Sequence, residues 1–188
     1  MRYTPEHAEK TRARVLEAAG RQFREHGFGG IGVEGLSHAA KVTSGAFYNH
    51  FGSKAGAFAA VVRAGVERVR LGAEHFRRAK GEGWLAAFAA YYLGEAHRRD
   101  VAGGCALPSL STDVAHADAE TRAAYEEELL KVAALIAEGL PGAPGRAAAW
   151  PVLAQLAGGV MLSRAVRDEA IAQEIAEAVL KAVPSARK

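Results

Sequence analysis

The sequence predicts an all-α protein, and three observations carry that reading. Of the 188 residues, 42 are Ala and only 24 are β-branched, namely 15 Val, 4 Ile and 5 Thr. Alanine is the strongest helix former, whereas β-branched side chains favour strands. Apolar residues also recur at helical spacing, and glycine, proline and capping residues cut that periodicity into helix-sized pieces. Hydrophobic residues at 49% and charged residues at 24% exclude a disordered chain. The single Cys excludes a disulfide scaffold and any multi-cysteine zinc site.

The first helix is expected from about Pro5 to His26, with Leu16, Ala19 and Phe23 on its apolar face and Arg14, Arg21 and Glu25 opposite. Gly27-Phe28-Gly29-Gly30 ends it, because glycine accepts the left-handed conformation that closes helices. These glycines make no phosphate loop: Gly52-Ser53-Lys54 has the needed residues in the wrong order. A second helix fits Val33 to Ala40, with Val33, Leu36 and Ala40 inward; Gly32 opens it as a cap. Lys41-Val42-Thr43 forms a tight turn, and a third helix fits Ser44 to His50 with Phe47 and Phe51 inward. Two short helices across so short a turn read as a helix-turn-helix. Ser53 caps a long fourth helix, marked by Phe58, Val61, Val62, Val66 and Val69, that runs to about Phe76.

Gly81 and Gly83 suggest a soft domain boundary. A helix is expected from Trp84 to His97, then a loop over 100–104. Another is expected from Cys105 to His116, with Pro108 tolerated in its first turn. Asp118 caps a helix reaching about Leu140, and the loop over 141–145 follows. Helices at Arg146 to Val166, kinked or restarted at Pro151, and Asp168 to Val183 complete the chain.

The net charge of +3 divides unevenly, with +7 over residues 1–80 and −4 over residues 81–188. A basic part that meets a polyanion accounts for the split; chance clustering of solvated charge competes with it. The N-terminus lacks the apolar core of a secretory signal, and the longest apolar run, Trp84 to Leu93, is too short to span a bilayer. The stretch Ala147 to Leu162 is interrupted by Pro151, Gln155, Gly158 and Gly159. A cytoplasmic protein without membrane contact is therefore expected.

The segment from Leu36 to Lys54 resembles the helix-turn-helix of the tetracycline-repressor (TetR) family of bacterial transcriptional regulators. Thr11 to Ala19 is similar to that family's first helix, Phe23 to Phe28 to its end, and Phe47-Tyr48-Asn49-His50-Phe51 to the aromatic hallmark of its recognition helix. The likeness covers about residues 8–68, with the helix-turn-helix at about 32–51. It implies a DNA-binding domain there, joined by the long fourth helix to an effector-binding and dimerisation domain over residues 81–188. The implied function is a DNA-binding regulator that acts as a homodimer on a palindromic double-stranded operator, as a repressor released by a small-molecule effector. An activator of the same family is one alternative. A helical ligand-binding or enzyme domain, with the helix-turn-helix serving only packing, is another.

Recognition helices present small or polar groups to base edges while their backs pack on a core. Ser44, Gly45, Ala46 and Asn49 fit that face. Thr43 and Ser44 stand at the helix start, where hydroxyls and free N–H groups meet phosphate. The resemblance implies phosphate contacts from Tyr48, His50 and Lys54. A half-buried aromatic, a solvated helix end and a plain surface lysine are the competing readings of these three. Arg2, Lys10 and Arg12 add contacts to the neighbouring backbone or minor groove. Lys41 stands where the family often has glycine, and a non-glycine residue there is strained, so a less regular turn or a further phosphate contact is expected.

In the second half, Trp84, Phe88, Tyr91 and Tyr92 cluster at helical spacing, and Tyr125 and Trp150 are candidates to join them. They read as core or as the lining of the effector pocket that the resemblance implies. Cys105, at a helix start, is either a thiol activated by the helix dipole or a buried inert one. The histidines show no metal-ligand spacing, and no cofactor is expected. Cys105 and His116 lie too far apart on one helix to couple as nucleophile and base, so no enzyme is expected. Ala154 and Gly158, with Ile171, Ile175 and Val179, read as a dimer interface or as monomer core.

Overall fold

A computed structural model describes residues 5–142 and 144–184. Among them, every regular element is helical. Helices α1 (Pro5–His26), α2 (Val33–Ala39) and α3 (Ser44–Phe51) precede the long α4 (Lys54–Lys80). A 3₁₀ turn at Gly81–Gly83 leads to α5 (Trp84–Tyr92), α6 (Glu95–Arg99), α7 (Ala106–Ala115) and α8 (Ala119–Glu138). A second 3₁₀ turn at Arg146–Ala148 leads to α9 (Ala149–Ala165) and α10 (Glu169–Ala182).

Two apolar cores share α4 as a spine. Its first half gives Ala57, Phe58, Val61 and Val62 to a core closed by Val15, Ala19 and Phe23 of α1, Leu36 of α2 and Phe47 of α3. Its second half gives Val66, Val69 and Ala73 to a larger core built from α5, α8 and α9. The inward line of α1 is therefore Val15, Ala19 and Phe23, while Leu16 is half-buried beside it. Helix α7 also enters the first core, through Ala106, Leu110 and Val114. Close approach of α4 and α7 depends on Gly65, where a Cβ would lie 2.5 Å from that of Ala106.

Capping follows the sequence closely. Ser53 Oγ accepts from the Gly56 N–H at 2.9 Å, and Asp118 Oδ1 accepts from the Thr121 N–H at 2.7 Å. Asp168 Oδ1 caps α10 through the Ala170 N–H at 2.8 Å. Four boundaries differ from the sequence reading. Helix α4 continues one turn beyond Phe76, to Lys80, and α8 stops at Glu138, short of Leu140. Pro151 sits in the first turn of α9, where its missing N–H costs nothing, so the restart falls at Ala149 and no kink occurs at the proline.

The fourth difference is that the helix expected from Trp84 to His97 is broken at Leu93-Gly94. Two carbonyls freed at the break find side-chain donors. His97 Nδ1 lies 2.5 Å from Tyr92 O, and Arg98 Nη1 donates to Leu93 O at 2.7 Å. No helix of the described residues is long and apolar enough to cross a membrane.

Candidate nucleic-acid interface and internal cavity

The turn between α2 and α3 closes by two backbone bonds: Lys41 N–H to His38 O at 3.0 Å and Val42 N–H to Ser37 O at 3.0 Å. This pairing needs a left-handed residue at Lys41. Lys41 has φ +54°, the one positive value at a non-glycine residue among those described. The turn is thus regular, with a side chain where glycine would be unstrained, and the Lys41 ammonium stands exposed beside α3.

Thr43 Oγ1 accepts from the Ala46 N–H at 3.1 Å, so its hydroxyl caps α3 and still has its proton to offer elsewhere. Phe47 is fully buried and holds the helix to the core. Gly45, Tyr48 and Asn49 are exposed on the opposite side, and Ser44, Ala46 and His50 are half-buried along its edges. The Tyr48 ring stands edge-on to Phe47 and is 48% exposed, so it does not close the small domain.

An open groove of about 600 Å³ separates α3 from the first turns of α1, and Arg14, Lys41, Thr43, Asn49 and His50 border it. Arg12 stacks its guanidinium 5.1 Å from the Phe51 ring centroid, and Lys54 holds its ammonium 4.4 Å above Phe28. Lys10 is exposed and paired with Glu6 at 2.7 Å. Arg2 lies outside the described residues.

Behind this unit is a cavity of about 360 Å³, walled by Phe88, Tyr91, Tyr92 and Cys105 from the expected set. The other three candidates lie elsewhere. Trp84 is buried in the larger core, packed where Gly139 leaves room. Tyr125 is half-buried with its hydroxyl 2.7 Å from Ser111 Oγ, and Trp150 is on the surface at the start of α9.

Arg24, Arg68 and His97 also line the cavity, and the sequence reading missed all three. Arg24 Nε donates to Ala102 O at 2.6 Å. Burial first, then the neighbouring Arg68 and Arg21, lower its pKa to about 10. Burial also lowers the His97 imidazole below its usual value, favouring a neutral ring that donates from Nδ1 to Tyr92 O.

Cys105 caps α7, and of its two readings the buried thiol holds and the dipole-activated one does not. Burial pushes its pKa up, outweighing the Tyr92 hydroxyl that donates to Sγ at 3.0 Å and the Leu107 N–H at 3.3 Å. Arg164 braces the surrounding loop through Arg98 O at 2.9 Å, His97 O at 3.0 Å and Ser109 Oγ at 3.0 Å. No cluster of His, Cys, Asp and Glu among the described residues is suited to a metal ion.

The outer face of α9 and α10 is apolar. Ala154 and Ile171 are exposed and Gly158 and Ile175 half-buried, but Val179 turns inward onto the space left by Gly159. Met161 and Leu162 join the face, with Leu162 60% exposed. Their spacing from Ala154 and Gly158 was the available signal, masked by the largely apolar run around them.

Residues 15–61 match the family described as "Bacterial regulatory proteins, tetR family". Over 55 residues the chain is 42% identical to the HTH-type transcriptional regulator TtgR of Pseudomonas putida. That stretch is 29% of this chain and 26% of TtgR, so the likeness spans about a quarter of that protein. The solved TetR-family regulator from Cytophaga hutchinsonii has a TM-score of 0.79 at 18% identity, over 96% of this chain and 98% of that one. Reduced NemR of E. coli has a TM-score of 0.73 at 22% identity, over 90% and 95%. The chain thus shares their fold over 90–96% of its length, while the family match falls in the first helices.

Proposed function

We propose that this chain, whose residues 15–61 match the tetR family of bacterial regulatory proteins, is a homodimeric repressor whose grip on duplex DNA is released by a small molecule. The observation that carries the reading is the exposed face of α3. Gly45 and Asn49 lie outward, with Ala46 and Tyr48 on either side, and a basic groove runs along one edge. Small and polar groups suit base edges in the major groove, while Lys41, Tyr48, His50 and Lys54 suit phosphates. Ser44 and the Thr43 hydroxyl proton add donors at the helix start.

Residues 8–68 are read as the DNA-binding domain and 81–188 as the effector and dimer domain, with α4 running between them. Two copies joined through α9 and α10 would carry a pair of α3 helices on a two-fold axis. Such a pair reads a palindrome with half-sites about 34–36 Å apart or a multiple of that. Ala154, Gly158, Met161, Leu162, Ile171 and Ile175 would form the seam. A ligand seated against Phe88, Tyr91 and Tyr92 would favour a state with the α3 helices out of register. It releases DNA only by as much as it prefers that state.

Duplex binding measured against salt tests this. If Lys41 and Lys54 of each protomer meet phosphate, affinity falls roughly 100-fold or more between 50 and 200 mM salt. Leu162→Glu should give monomers in sedimentation, with weakened duplex binding and an unchanged helical signal. Flat salt dependence, or full affinity in a monomeric variant, would refute the reading.

A further inference from the structure

The cavity behind the first core is apolar on one wall and cationic on the other. Phe88, Tyr91 and Tyr92 supply ring surface, and Arg24 and Arg68 supply positive charge. Arg24 is only 7% exposed, and its one hydrogen bond among the described residues uses Nε, leaving both terminal nitrogens to other partners. Neither arginine has a carboxylate at ion-pair distance among the described residues. The acidic group acting on Arg24, Asp100, has less influence than the neighbouring Arg68 and Arg21.

Two guanidinium groups on one cavity wall, Arg24 buried and Arg68 exposed, repel each other. An anion between them removes that repulsion, whereas a cation adds to it and a neutral molecule leaves it in place. His97 is held toward neutrality by burial, and Tyr92 and Cys105 are uncharged, so no other lining group asks for a second negative charge. A planar carboxylate matches the guanidinium fork better than a spherical anion. The volume of about 360 Å³ suits a small aromatic molecule.

We propose that this cavity takes a small aromatic monocarboxylate, its ring against Phe88, Tyr91 and Tyr92 and its carboxylate between Arg24 and Arg68. The proposal rests on reading the chain as ligand-responsive, and it names the chemical class of the effector. It also names the first point of transmission. Arg24 is on α1, whose opposite end borders the groove beside α3, so the ligand charge is gripped by the DNA-binding unit itself.

The test is calorimetric titration of the full chain with biphenyl-4-carboxylate and its neutral isostere, biphenyl-4-carboxamide. The acid should bind at least about ten-fold more tightly, the worth of one charge-assisted hydrogen bond. Arg68→Gln removes an exposed side chain and should shrink that preference to about three-fold or less while leaving the amide unchanged. Arg24→Gln should do the same, with circular dichroism confirming the fold. Equal binding of acid and amide, a preference kept in both variants, or no saturation by the acid up to about 1 mM would each overturn the proposal. Charge-selective binding that leaves affinity for a duplex selected by this protein unchanged would instead retain the site and remove its regulatory role.

Discussion

Arg24 Nε and the Ala102 carbonyl meet at 2.6 Å across 78 positions of sequence. The bond ties the last turns of α1 to the loop before α7, so the helix-turn-helix unit and the cavity wall are joined at that point. Arg24→Met should leave the Ala102 carbonyl buried without its donor. That loss is partly offset because a cation no longer has to be desolvated. The expected net cost is about 1 kcal/mol, or about 2–4 °C in melting temperature. Coupling between cavity ligand and DNA should weaken as well. An unshifted melt with unchanged coupling would show that the link carries nothing.

Lys41 is the second test, because fold and function pull it in opposite directions. Its left-handed backbone carries a strain of about 1 kcal/mol that glycine would relieve. Lys41→Gly should therefore melt no lower than the parent protein. If the ammonium meets phosphate, the same variant binds all duplexes more weakly. Its log-log salt slope becomes shallower by about 1 per site. A destabilised variant with an unchanged slope would reverse both assignments.

His97 predicts a pH effect. Its folded pKa lies below the unfolded value near 6.5. The unfolded chain then takes the proton first, so this contribution is complete above the unfolded value and is lost as pH falls through it toward the folded one. The lowered carboxylates Asp118, Glu127 and Glu169 act in a more acidic range. Urea midpoints should therefore drop between pH 7.5 and about 5.5, and His97→Gln should reduce that drop. Equal pH dependence in parent and variant would exclude His97 as the source.

Much of the first core was legible because its residues have a clear phase. Leu36, Phe47 and Phe58 fall where helical spacing puts them, and each is buried. The break at Leu93-Gly94 was hidden for the opposite reason. Trp84 to Leu93 is apolar on every side, so no phase change marks its end. The donors that make the break tolerable are the side chains of His97 and Arg98, each five residues beyond the carbonyl it serves.

The cavity was half legible. Its rings form a pattern in one segment, but Arg24 and Arg68 looked like surface charges of a basic region. Only the packing of α1 on α4 brings them to one wall, with Arg24 buried and Arg68 exposed. Cys105 was open to two readings because the sequence shows a helix start and not the burial that outweighs it. Val179 misled because Gly159, rather than Gly158, is where α10 approaches α9.

The central claim is that two copies of α3 read a two-fold symmetric duplex, and selection from a random duplex library tests it most directly. The full-length chain would be the bait and the recovered sequences the readout. The account predicts enrichment of an inverted repeat whose half-sites are centred about 34–36 Å apart or a multiple of that, with Asn49→Ala changing the preferred half-site. Recovery of sequences without an inverted repeat, or no enrichment over the starting library, would contradict it.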